Sequence, residues 1–154
     1  MGPGRDGQGL KVVLQRVARA SVEVDGQIVG QIGRGILLLI GIGTGDTPEQ
    51  ADFLAAKCAE LRIFSDEQGK MNLSVQDVNG GVLAISQFTL YGDCGKGRRP
   101  SYHLAAAPDR ARELYECFVS ALRTRFPDVQ TGIFAASMQV DLLNDGPVTL
   151  ILEK

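Results

Sequence analysis

Tryptophan is absent from this chain of 154 residues, histidine occurs once and cysteine three times. One histidine, His103, supplies too little imidazole for an ordinary zinc site, and neither a metal nor any other cofactor is expected. Cys58, Cys94 and Cys117 leave an odd thiol in any pairing and show no C-x-x-C spacing, which suits a reducing compartment. Long apolar runs are also missing. The longest, Ile36–Ile40 with Ile42 beyond Gly41, falls far short of the roughly 20 residues that cross a bilayer. Segment 1–9 is polar and glycine-rich, unlike a signal or transit peptide, and Asp6 stands where a myristoylation signal needs Ser or Thr. The expectation is a cytoplasmic protein with no membrane partner, in which 1–9 is a flexible leader or an added remnant. Charge of one sign is scarce too: 16 Lys and Arg face 18 Asp and Glu, for a net charge of −2. That balance argues against a broad nucleic-acid-binding face and permits only a local basic patch.

What is present is the composition of a globular protein, 44% apolar and 22% charged, with room for one domain. Lys11–Arg16 and Ser21–Val24 read as short β runs, and Asp25-Gly26 supplies a two-residue hairpin turn into Gln27–Ile32. Gly35–Ile42 is nearly continuously apolar, as a central strand buried on both faces must be. Thr47-Pro48-Glu49-Gln50 has the form of a capping box with proline at the first helical position, and Leu54, Cys58 and Leu61 follow on one face. A second helix runs from Pro108 to about Phe126, with Ala111, Leu114, Tyr115, Phe118, Val119 and Leu122 at helical spacing. Val82–Gln87 reads as a strand and Gly92–Pro100 as an exposed loop. Met138, Val140 and Leu142 alternate with polar neighbours, Asn144–Pro147 reads as a turn, and Val148–Leu152 completes a closing hairpin. The predicted fold is α+β: one domain, residues 10–154, with a mixed or antiparallel, partly barrel-like sheet and two main helices over one face. A second copy would cover the other, giving a homodimer.

Several motifs that resemble catalytic signatures dissolve on inspection. Gly41-x-Gly43-x-Gly45 follows a strand and precedes a helix, but Asp46 replaces the third glycine of a dinucleotide loop, so it reads as a turn. Gly95-Lys96-Gly97 lacks the Walker spacing and the Ser or Thr after lysine. A nucleophilic triad would need His103 as base for Ser86, Ser101 or Cys94, yet no Gly-x-Ser-x-Gly elbow surrounds them, and a surface histidine is the ordinary alternative. Cys94, among glycines beside Lys96, is either an activated or merely an accessible thiol. Lys96, Arg98 and Arg99 place three cations in four positions, suited to the phosphates of an RNA terminus or equally to a solvated loop.

From Leu10 to Lys154 the chain resembles the D-aminoacyl-tRNA deacylases. The likeness is carried by Leu14-Gln15-Arg16-Val17, Lys70-Met71-Asn72-Leu73-Ser74, Ser86-Gln87-Phe88-Thr89-Leu90 and Asn144-Asp145-Gly146-Pro147-Val148-Thr149. The resemblance implies hydrolysis of the ester joining a D-amino acid to the terminal ribose of tRNA, and of glycyl-tRNA as well. It implies a catalytic strand end at Ser86, Gln87, Phe88 and Thr89, with main-chain N–H groups around Gln87 and Phe88 as oxyanion donors. Thr89 then either attacks the ester or orders the pocket, the second being the role that an RNA-assisted reaction leaves to it. The resemblance further implies that Gly146 and Pro147, joined by a cis bond, enter the partner subunit's site, accept from the substrate ammonium and reject L-residues sterically. Arg16 and Met71 join the substrate-binding set, Arg16 either anchoring the Gly-Pro segment or lying on the surface. Lys96, Arg98 and Arg99 become tRNA contacts. Two rivals remain: a non-enzymatic module binding the tRNA acceptor end, and an esterase using Ser86 or Cys94 with His103.

Overall fold

The computed structural model describes residues 9–154, so the reading of segment 1–9 lies, apart from Gly9, outside the described residues. Strand β1 (Lys11–Val24) is continuous where the sequence pattern breaks into two runs. The break at Ala18-Arg19, both exposed, is spanned because a neighbouring strand supplies backbone partners on either side of it. Asp25 and Gly26 take positive φ values of 51° and 78° and turn the chain into β2 (Gln27–Ile32), as the Asp-Gly dipeptide predicts. Strand β3 (Gly35–Gly41) pairs antiparallel with the first half of β1 and parallel with β6 (Gly81–Ser86), which pairs parallel with β7 (Val129–Thr131). A two-stranded ribbon, β4 (Phe64–Ser65) and β5 (Met71–Leu73), lies apart from this sheet. The main sheet curls until β2 meets β7: the Gln31 N–H donates to Gln130 Oε1 at 3.3 Å. A Cβ at Gly30 would lie only 2.7 Å from the Thr131 carbonyl oxygen, so glycine permits that approach. The result is the single-domain, nearly barrel-shaped mixed sheet the sequence led us to expect.

Helices α1 (Pro48–Glu60) and α2 (Pro108–Arg123) cover one face. Gln50 accepts from the Thr47 N–H at 2.7 Å, closing the start of α1 as the capping-box reading requires. The stripe Ala111, Leu114, Tyr115, Phe118, Val119 and Leu122 is buried, and α2 ends at Arg123, one turn short of the expected limit at Phe126. Under the helices, Leu14, Ile36, Leu38, Leu54, Leu114 and Phe118 join one core. The curled interior holds a smaller one of Val17, Val22, Leu37, Leu83 and Ile85. No helix among the described residues is long and apolar enough to cross a membrane.

The C-terminal segment departs from the hairpin reading. Strand β8 (Gln139–Glu153) is a single antiparallel partner of β1 from one end to the other. Leu142 faces Ala20 and Thr149 faces Gln15, so the halves on either side of Asn144–Pro147 lie against the same strand instead of each other. Asn144 faces Val17, leaving residues 145–148 of β8 opposite only residue 16 of β1. The surplus is extruded as a wide bulge, with the Gly146–Pro147 bond cis. A turn-forming sequence thus makes an outward loop, because β1 is long enough to pair with both flanks.

Candidate active site

Strand β6 is held between β3 and β7, and its last rung outside the regular ladder is the Gln87 N–H donating to the Ile40 carbonyl at 2.7 Å. β3 ends one residue later, so the chain leaves the sheet and winds into a 3₁₀ turn over Phe88–Tyr91. Two expectations change here. The strand stops at Ser86, not Gln87, and Gln87's N–H is spent on Ile40. As an oxyanion donor that leaves the Phe88 N–H, which has no protein acceptor among the described residues.

Beside this turn opens a cavity of about 570 Å³. Ile85, Ser86, Gln87 and Phe88 form its floor, Ala105–Ala107 with Pro108 one wall, and Phe134–Ala136 with Met138 and Val140 the other. Phe88 and Tyr102 meet edge to face at its mouth, with ring centroids 5.2 Å apart. None of the lining residues is Asp, Glu, His, Lys or Arg. The cavity can therefore polarise a carbonyl with peptide groups and shape a side-chain space, but it offers no carboxylate or imidazole as a base. Thr89 is exposed outside the lining, and its hydroxyl accepts from the Gln87 side-chain amide.

Arg16, Met71 and Gly146 gather elsewhere, around the β8 bulge. Arg16 is 9% exposed. Its Nε donates to the Asp145 carbonyl at 3.1 Å and pairs with the Asp145 carboxylate at 3.2 Å; its other nitrogens reach the Ile63 and Gly146 carbonyls. Met71 Sδ lies 3.8 Å from the same guanidinium. The Asn144 amide donates to the carbonyls of Arg16 and Val148 at 2.9 and 3.2 Å, bracing both feet of the bulge. Of the two readings of Arg16, the structure supports the anchor. Gly146 and Pro147 are exposed and do not line this chain's own cavity. Lys96, Arg98 and Arg99 lie exposed on a loop closed by the Asp93–Ser101 bridge. His103 Nδ1 lies 2.9 Å from the Ser101 hydroxyl. Among the described residues it makes no hydrogen bond to Ser86 or Cys94, and the Cys94 thiol lies 4.0 Å from its own loop's Gly92 carbonyl, so the esterase constellation does not assemble.

Residues 13–153 match the family described as D-Tyr-tRNA(Tyr) deacylase. The chain belongs to that family. It is 57% identical over 144 residues to the D-aminoacyl-tRNA deacylase of Desulforamulus reducens, covering 94% of this chain and 97% of that one. It is 58% identical to the protein of the same name from Geobacter sulfurreducens, covering 94% and 95%. Among solved structures, the c-Myc DNA Unwinding Element Binding Protein superposes with a TM-score of 0.88 at 43% identity, over 94% of this chain and 98% of that one. A second, described as a "probable eukaryotic D-amino acid tRNA deacylase", gives a TM-score of 0.83 over 96% and 100%; at 19% identity this likeness speaks for the fold alone.

Within this deacylase fold, sequence reasoning found the floor of the cavity and missed both walls. The run Ala105-Ala106-Ala107 ahead of Pro108 is the one local signal: three small side chains at a helix entry leave space no larger residue would. Phe134–Ala136 carries no such signal, and only the curl of the sheet brings it opposite.

Proposed function

We infer that the protein hydrolyses the ester bond of D-aminoacyl-tRNA, releasing tRNA and the free D-amino acid. Membership in the deacylase family supports this reading, and the observation that carries its chemistry is the cavity at the end of β6, lined without an ionisable base. The ester is already activated relative to an amide, so polarising its carbonyl against the Phe88 N–H and positioning the terminal ribose suffice, the ribose 2′-hydroxyl assisting in place of a side chain. Thr89 orders the turn through Gln87. Lys96, Arg98 and Arg99 hold phosphates of the RNA end.

Chiral selection is assigned to the Gly146-Pro147 bulge of a second copy. Two features support the assignment. Gly146 and Pro147 project from the chain without lining its own cavity, and Leu143, Leu150 and Ile151 on β8 beside them are 47%, 37% and 70% exposed. A second copy seated on this strand buries those side chains and brings carbonyls of the bulge toward the substrate ammonium. With the carbonyl and ammonium both fixed, an L side chain meets backbone while a D side chain finds space. Glycine, with nothing to exclude, is hydrolysed too.

The test is deacylation of matched D-tyrosyl-, L-tyrosyl- and glycyl-tRNA under multiple turnover. The expected result is rapid release from the D-ester, release from the glycyl ester, and an L-ester that decays at its spontaneous rate. Equal rates on D- and L-esters defeat the chiral reading, and stoichiometric binding without release returns the protein to a tRNA-end binding module.

A further inference from the structure

Beyond the cavity, on the far side of Phe134, a second groove of about 490 Å³ runs between α2 and β7. Its lining includes Arg112, Glu116, Ser120, Arg123, Thr131 and Phe134. The four α2 residues recur at intervals of four, four and three, so they form one stripe. Arg112 and Arg123 stand at its ends, roughly 16 Å apart along the helix axis. Arg112 lies over the Phe134 ring, 4.9 Å from its centroid. Arg123 reaches the Val129 carbonyl at 3.5 Å. Both are exposed, and neither takes part in any ion pair among the described residues, whereas Arg16, Arg110 and Arg125 each hold a carboxylate. Glu116 is the one acid in the lining, so the groove carries net positive charge in a protein whose total is −2. The Tyr115 hydroxyl below is committed to the Ala84 carbonyl, and burial pushes its pKa up to about 12, so it adds no charge.

We propose that this groove receives the ribose-phosphate backbone of the unpaired nucleotides preceding the aminoacylated adenosine, with Arg112 and Arg123 on phosphates about two nucleotides apart. The proposal rests on the reading of the neighbouring cavity as the aminoacyl site. Continuity carries it, because Phe134 is a wall of both spaces: a polymer whose end occupies the cavity leaves it past that ring. Guanidinium groups suit phosphate oxygens, the Ser120 and Thr131 hydroxyls suit sugar hydroxyls, and Phe134 offers a face for a base. The assignment adds a second basic tract to the one at Lys96, Arg98 and Arg99.

The experiment compares D-tyrosyl-tRNA with D-tyrosyl-adenosine, which carries the ester but no preceding phosphate. Arg123→Ala and Arg112→Gln are expected to raise KM for the tRNA roughly tenfold each with kcat retained, the size of a lost charge-assisted hydrogen bond. The ratio of the two substrates' KM values should rise in step. The slope of log(kcat/KM) against log salt for the tRNA should flatten by about 0.7 per contact removed. Arg123→Lys should recover most of the loss. An unchanged KM for the tRNA overturns the proposal, and so does an equal loss on both substrates, which would make the groove a mere support for the cavity wall. If the unaltered protein turns over neither substrate, the functional reading fails and takes this inference with it.

Discussion

Thr89 separates two chemistries at the level of single atoms. A nucleophilic hydroxyl must face the ester with a base beside it, whereas Thr89 Oγ1 lies outside the cavity lining and accepts from the Gln87 amide. Thr89→Ala should therefore lower kcat no more than about tenfold, as loss of an ordering contact does. A complete block with the fold intact, checked by circular dichroism, would restore the hydroxyl as attacking group. Arg16 makes the complementary point. A charged side chain so enclosed is tolerated because carbonyls and one carboxylate surround it, and all of those acceptors except the Ile63 carbonyl belong to the bulge it holds in place.

At the scale of elements, the entry to α1 shows how a loop that looks like a nucleotide motif becomes a clasp. Asp46 accepts from the Gly43 N–H at 2.6 Å and from the Gln50 amide at 3.2 Å, so the glycine-rich turn is fastened to the first turn of the helix. Burial raises the Asp46 pKa above the usual carboxylate range, and the two hydrogen bonds offset that only in part. The native state thus holds this proton more tightly than the unfolded chain. Its contribution is fully present below the unfolded pKa and is lost as pH rises through the folded value. Asp46→Asn cannot titrate, so the stability of the wild type relative to the variant should fall as pH rises from the unfolded value of 3.8 through the higher folded one. Urea midpoints across that range would show it, and a constant difference would refute it.

For the whole molecule the decisive question is whether the bulge serves its own chain's cavity or a partner's. Two damaged proteins answer it. Excision of Asp145–Pro147 removes the bulge, and Ala107→Trp fills the mouth of the cavity at an exposed position; each protein by itself should be inactive. In the dimer proposed above, mixing and reassembly yields heterodimers in which one cavity is open and faces an intact bulge. About a quarter of the wild-type sites should then return, by random pairing. No recovery despite heterodimer formation, shown by native mass spectrometry, would place the bulge in the service of its own chain.

The helices, the Asp25-Gly26 turn and the central position of β3 were legible in the sequence, because each depends on contacts within a few residues or on a periodicity that local geometry imposes. The floor of the cavity was legible through the segment Ser86–Thr89. Its walls were not, nor was the loss of Gln87's N–H to Ile40, since both depend on which strands become neighbours. The same holds for Asn144–Pro147, where the sequence alone predicted a reversal of direction. Only the tertiary structure, by laying one long β1 beside both flanks, turned that reversal into an outward bulge. Backbone pairing over more than a hundred residues of separation outweighed what the turn-forming residues favour locally.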